Sequence, residues 1–256
     1  MTGSQNETIP MNARHTSILT LLMTLACSGV AAAESPAVTP LPNRRSGLSV
    51  EADHQIRSVW AALSSYRLFT GSFPSTEVGL KALVANSPSG NPEFKKSKEA
   101  LPSLPLDPWG RAYAYSASEN TMTLASSGPN PDVLDDDLVV IDAFALPGKS
   151  TPVPVQALPV VGLLRSVKQT DTARFQQCWS EDMAARLGLN DVSAMGMLER
   201  YKAGFTQTFG DYNVDEFLFS FMGTPSAGWV TVKLKNKDLP AIRVVQSGSA
   251  WKLGEK

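Results

Sequence analysis

The sequence predicts an α+β protein in two parts. In the first part, one long helix with a single apolar stripe precedes short alternating strands; in the second, three helices precede four strands. Proline-rich stretches at 34–48 and 147–156 set the parts off. The 256 residues, 43% hydrophobic and 18% charged, suffice for two modest cores. Formal net charge is -1, and removing residues 1–33 takes away one Arg and one Glu, so no basic face would attract nucleic acid.

The N-terminal segment reads as a targeting signal. Arg14 and His15 lead into an apolar run from Ile18 to Cys27, then Ala31-Ala32-Ala33 before Glu34. That run is too short to span a bilayer, and small residues at its end fit a secretory signal peptide over 1–33, cleaved after Ala33. Cys27 offers a second reading as a lipoprotein acylation site, but Thr24-Leu25-Ala26 is an imperfect box before it. Periplasmic or secreted localisation follows, with no transmembrane span in the mature chain. Cleavage leaves Cys178 as its single thiol, so it forms no intrachain disulfide; a buried, inert Cys is the plain reading.

Residues 34–48, with Pro36, Pro40 and Pro42, read as a semi-rigid tether. The first folded domain is expected at 49–146. Its helix runs from Val50 to Phe69 with Ile56, Val59, Trp60, Leu63 and Tyr66 on one stripe, and Gly71 ends it. A second helix is expected from Thr76 to Ala85. Alternation in Ala112–Tyr115 and Thr121–Leu124 predicts a hairpin turning at Ser118–Asn120. Asp107-Pro108-Trp109-Gly110 is a turn: Asp bonds the backbone ahead, Pro fixes φ, Gly supplies a permissive position, and Trp109 is placed to cover the core.

After the linker at 147–156, the second domain, 157–256, reads as helices at Val160–Lys168, Thr172–Leu187 and Val192–Phe209. Strands follow near Val214–Met222, Gly228–Lys235, Ala241–Gln246 and Ala250–Leu253. Val230, Val232 and Leu234 alternate with Thr231, Lys233 and Lys235, so one sheet face is apolar and the other wet. Asp171 and Ser180 are placed as helix caps.

Chemistry-bearing motifs are few. His54 beside Asp53 is the mature chain's one histidine and reads as a solvent-facing helix residue; neither a nucleophile elbow nor a phosphate-cradling glycine loop is present. Asp182, Glu199, Asp215 and Glu216 are candidates to line a pocket, though scattered surface carboxylates would look the same. The acidic loop is more pointed. Asp135, Asp136 and Asp137 repel one another, with Asn130 and Asp132 just upstream. A hard cation would relieve that repulsion, whereas a plain solvated loop would dissipate it in water.

Leu63-Ser-Ser-Tyr66 through Gly71-Ser-Phe73-Pro74, then Gly79-Leu80-Lys-Ala82-Leu83-Val84, resembles the major pseudopilin of type II secretion systems. So does Leu104-Pro105-Leu106-Asp107-Pro108-Trp109-Gly110, followed by Tyr113-Ala-Tyr115, Ser126-Ser127-Gly128-Pro129 and Asp135–Leu138. The resemblance covers residues 50–142. It implies a head in which an N-terminal helix packs on a small antiparallel sheet, a non-enzymatic role, and calcium in the acidic loop. Asp136 and Asp137 match the family's paired acidic ligands; Asp132 and Asp135 belong to the same loop, and Leu134 or Ser127 could offer carbonyls. Asn130 stands where the family usually has Asp, and Asn130-Pro131 replaces the usual Asp-Gly. The family's prepilin-peptidase site and long apolar membrane helix have no counterpart here, which leaves docking through the head, or a use of the fold unrelated to secretion, in place of the usual helix packing.

Residues 157–256 resemble, more weakly, the NTF2-like cone fold, through Leu163-Leu164 to Asp171, Phe175 to Met183, and Trp251-Lys-Leu253. The fold expected is thus a pseudopilin-like head followed by an NTF2-like α+β domain. The function implied is an exported binding or assembly module for protein transport, calcium-stabilised, with cell-envelope proteins, including a secretion pseudopilus, as partners. A second reading keeps small-ligand binding, or an enzyme, in an apolar pocket of the C-terminal domain.

Overall fold

The computed structural model describes residues 47–146, 151–234 and 237–255, all within one compact unit. The expected signal peptide, most of the tether and the first part of the linker lie outside the described residues. Among these residues no helix is long and apolar enough to cross a membrane.

Helix α1 spans Gly47–Thr70. Its stripe is the expected one: Ile56, Val59 and Leu63 are buried, while Trp60 and Tyr66 flank them half-buried. Gly71 ends it in the left-handed region at φ 82°, its N–H closing on the Arg67 carbonyl at 2.7 Å. The helix expected at Thr76–Ala85 is instead a 3₁₀ turn, Gly79–Leu83. Gly79 sits at φ 60° and Val84 leaves to bridge Leu101, so no α-helical run can pass through either end. A short helix α2, Pro92–Lys95, which the periodicity does not signal, buries Phe94 against the Tyr66 ring, 5.2 Å away.

The hairpin forms as β1 (Ala114–Ala117) and β2 (Thr121–Ser126). Asn120 in its turn is buried and bonds both ways with Phe144, its carbonyl accepting at 3.0 Å and its Nδ2 donating at 3.3 Å. That ties the turn to the end of β3 (Leu138–Ala143), a strand sequence reading did not assign. Leu138-Val-Val-Ile is a continuous apolar run rather than an alternating one, and no residue of β3 is exposed, so both of its faces are at least partly covered.

Four helices follow: α3 (Leu158–Gln169), α4 (Thr172–Gln177), α5 (Glu181–Arg186) and α6 (Asp191–Phe209). The single helix expected at Thr172–Leu187 is broken because Cys178–Ser180 joins the sheet edge. Leu253 N donates to Cys178 O at 2.7 Å and Ser180 N to Leu253 O at 2.8 Å. Asp171 and Ser180 cap α4 and α5 as expected, accepting from Arg174 N and Met183 N. The strand expected from Val214 starts later: Val214–Glu216 is a 3₁₀ turn capped by Asn213, and β4 is Leu218–Gly223. β5 (Ala227–Leu234), β6 (Lys237–Ser247) and β7 (Ala250–Leu253) complete the chain.

The seven strands form one antiparallel sheet in sequence order, so the fold is α+β. The segments expected as two domains share this sheet, β3 pairing with β4 through Val139↔Gly223, Val140↔Met222 and Ile141↔Phe221. Directly opposed residues share a face. Leu124, Val140, Met222, Trp229 and Arg243 therefore run across one face, and α1 packs on the first three. Phe221, Val230 and Ile242 run across the other, buried, with α3 against β7 on the C-terminal side. Trp229, Thr231 and Lys233 take the exposed positions of β5, the wet face that its alternation predicts.

Candidate functional site

The acidic loop is held by the turn before the hairpin. Asp107 is buried, and its Oδ1 accepts from Trp109 N at 3.1 Å and Arg111 N at 2.8 Å. Its Oδ2 accepts from the buried Ser126 hydroxyl at 2.8 Å, and Ser126 Oγ in turn accepts from Gly128 N at 3.3 Å. One carboxylate thus fixes the Asp-Pro-Trp-Gly turn and the mouth of the acidic loop together. Trp109 does not enter the core as expected: it is half-buried, with the Arg111 guanidinium 5.9 Å from its ring centre. The turn ends the chain segment that would carry it inward, since Gly110 reverses the backbone at φ 82°.

Beyond Gly128, Asn130 organises the loop locally, its Oδ1 accepting from Asp132 N at 3.1 Å and its carbonyl from Val133 N at 3.1 Å. Leu134–Asp136 is a 3₁₀ turn whose Leu134 carbonyl takes Asp137 N at 3.2 Å. Asp132, Leu134 and Asp135 are exposed; Asp136 and Asp137 are half-buried. Gly128 sits at φ 60°, and a side chain there would run into the carbonyl and carboxylate oxygens of Asp136. Asp136 Oδ1 is shut from solvent and has no hydrogen-bond partner. Burial pushes the Asp137 carboxyl above its usual range, the Asp136 charge adds to that, and Arg111 opposes it.

These features bear on a cation unequally. The Asp136 oxygen packed against the side-chain-free Gly128 is an acceptor without a hydrogen-bond partner. Yet among the described residues no three His, Cys, Asp or Glu side chains converge. The loop fits a cation only as a mixed set, two carboxylates from Asp136 and Asp137 with main-chain and amide oxygens, which calcium accepts.

The family model for type II secretion system protein G matches residues 41–137. The type II secretion system core protein G of Pseudomonas aeruginosa is 36% identical over 103 residues, covering 39% of this chain and 70% of that protein. The chain belongs to the type II secretion protein G family. The core protein G of Aeromonas hydrophila is 32% identical over 107 residues, 40% of this chain and 74% of that one. A crystal structure of the major pseudopilin from the type 2 secretion system of enterohaemorrhagic Escherichia coli covers 41% of this chain and 96% of its own at 26% identity, with a TM-score of 0.30. Protein G is a structural, non-enzymatic family, and the Asp107 turn and acidic loop both lie within the matched residues. The family model stops at Asp137, so it lends no support to the NTF2-like expectation for 157–256.

The second expected site does not assemble. Asp182, Glu199, Asp215 and Glu216 are all exposed, and Asp215 bonds Arg165 at 3.0 Å across the surface. His54 is exposed on α1, as expected. Burial pushes the Cys178 thiol up to about 11, in keeping with an inert residue. Sequence reasoning missed a pocket of 330 Å³ where α1, the acidic loop and β4–β6 meet, lined among others by Arg57, Trp109, Asp135, Asp136, Trp229 and Arg243. One signal was available: carried one step back, the β5 alternation puts a tryptophan on the wet face.

Proposed function

We propose that this protein is an exported assembly module of the type II secretion envelope machinery, docking on partner proteins through its protein G head. The carrying observation is the family match over residues 41–137, together with a turn and loop built as one hydrogen-bonded unit around Asp107. The proposed setting is the periplasm, after cleavage following Ala33. Deleting the gene should lower the amount of a type II-exported enzyme in the medium, and the wild-type gene should restore it; unchanged secretion contradicts the reading.

Within that role we infer that calcium holds the acidic loop closed. Asp136 and Asp137 would ligate it, with carbonyls such as those of Leu134 and Ser127 completing the shell, and the ion would neutralise two neighbouring carboxylates. Calcium at about 100 times its Kd should add about 2.7 kcal/mol, a rise in Tm of a few degrees that Asp136→Asn with Asp137→Asn abolishes. Equal melts with calcium and chelator would show that Asn130-Pro131 has left the loop without the ion.

A further inference from the structure

Helix α1 covers only part of its face of the sheet. The cross-strand row Leu124, Val140, Met222, Trp229, Arg243 starts beneath the helix, but its last two residues lie on β5 and β6, beyond the core that α1 closes. At the step sits the pocket of 330 Å³, within the size range of small-ligand sites. We propose that this pocket binds a neutral pyranose ring of a saccharide.

The lining chooses that chemistry. Its lining is more apolar than polar, with Ala52, Leu138 and Met222, and includes two indoles, Trp109 and Trp229. Trp229 is 45% exposed, a large apolar surface left to water. The Arg243 guanidinium lies 5.2 Å from its ring centre and holds the indole in place from one side. The negative face of an indole attracts the weakly positive C–H face of a sugar ring. The lining also carries a donor, Arg57, and an acceptor, Asp135. A hydroxyl both donates and accepts, so a ring of hydroxyls meets both kinds of group, and an Arg with five donors has capacity beyond one partner.

Other ligand classes meet an obstacle. A phosphate would face the exposed Asp135 carboxylate, and an ammonium would face the Arg57 guanidinium. An alkyl chain would bury these charges without returning hydrogen bonds. An extended peptide has no strand edge to join here, because β5 is paired on both sides, with β4 and β6.

The test is a titration of the full chain with chitotriose, cellotriose and maltotriose, followed by tryptophan fluorescence and saturation-transfer NMR. At least one should saturate with a millimolar or tighter Kd, weakened roughly tenfold in Trp229→Ala and in Arg57→Gln. Both side chains reach solvent, and circular dichroism melts matching the wild type establish that the variants fold. If none of the three saturates, if the variants bind as well as the wild type, or if only inorganic phosphate or tetramethylammonium saturates, the proposal is overturned.

Discussion

Asp107 does the work of several residues. Its two oxygens take two main-chain N–H groups in part-buried bonds and the Ser126 hydroxyl in a buried one. Asp107→Ala strands those donors and should cost about 2 kcal/mol in urea unfolding, with the loss falling on the first three strands. Gly128 is the other hinge of the site. Gly128→Ala should destabilise by at least about 1 kcal/mol, because the left-handed conformation is strained for any Cβ and the new methyl meets Asp136. The Asp107 turn was legible from its residue types, since Asp-Pro-x-Gly has few other uses. Its link to Ser126 was not, because nothing local says which hydroxyl a buried carboxylate will reach.

At the scale of elements, one polar contact locks α1 to the sheet. Trp60 Nε1 donates to Asp142 Oδ2 at 2.8 Å, from helix to β3. Burial lifts the Asp142 carboxyl above its usual range, and the Trp60 bond partly offsets this. A folded-state pKa above the unfolded one means that the native state binds the proton more tightly. Stability should therefore fall as pH rises from the ordinary carboxylate value, about 3.9, through the raised folded value, and stay level above it. Asp142→Asn should flatten that window in pH-dependent melts. Trp60→Phe should widen it upward and cost about 1 kcal/mol or more at neutral pH. The same scale shows where sequence reading stops. The α1 stripe and the alternation of β5 report a one-sided environment and were legible. β3 is at least half-buried on both faces and so carries no alternation, and the break at Cys178–Ser180 comes from pairing with Leu253, seventy-odd positions away in sequence, which periodicity cannot see.

For the whole molecule, the continuity of the sheet changes what the C-terminal part is for. β4 covers the strand edge that β3 would otherwise leave open, and Met222 joins the α1 core from the far side. A chain cut after Leu146 should expose both, melting lower and aggregating through the freed edge, as sedimentation would show. The two expected parts remain our proposal for how the chain is organised, with the second bracing the first. The docking we propose would use the head's outward surface, where Leu68 and Leu134 are 77% and 71% exposed. The most direct test places a photo-crosslinking amino acid at Leu68 and at Leu134 in the full chain, in cells carrying an active type II system. The account predicts discrete adducts with components of that system, lost when the system is deleted. Adducts that persist unchanged in the deletion strain, or none at either position, would contradict it.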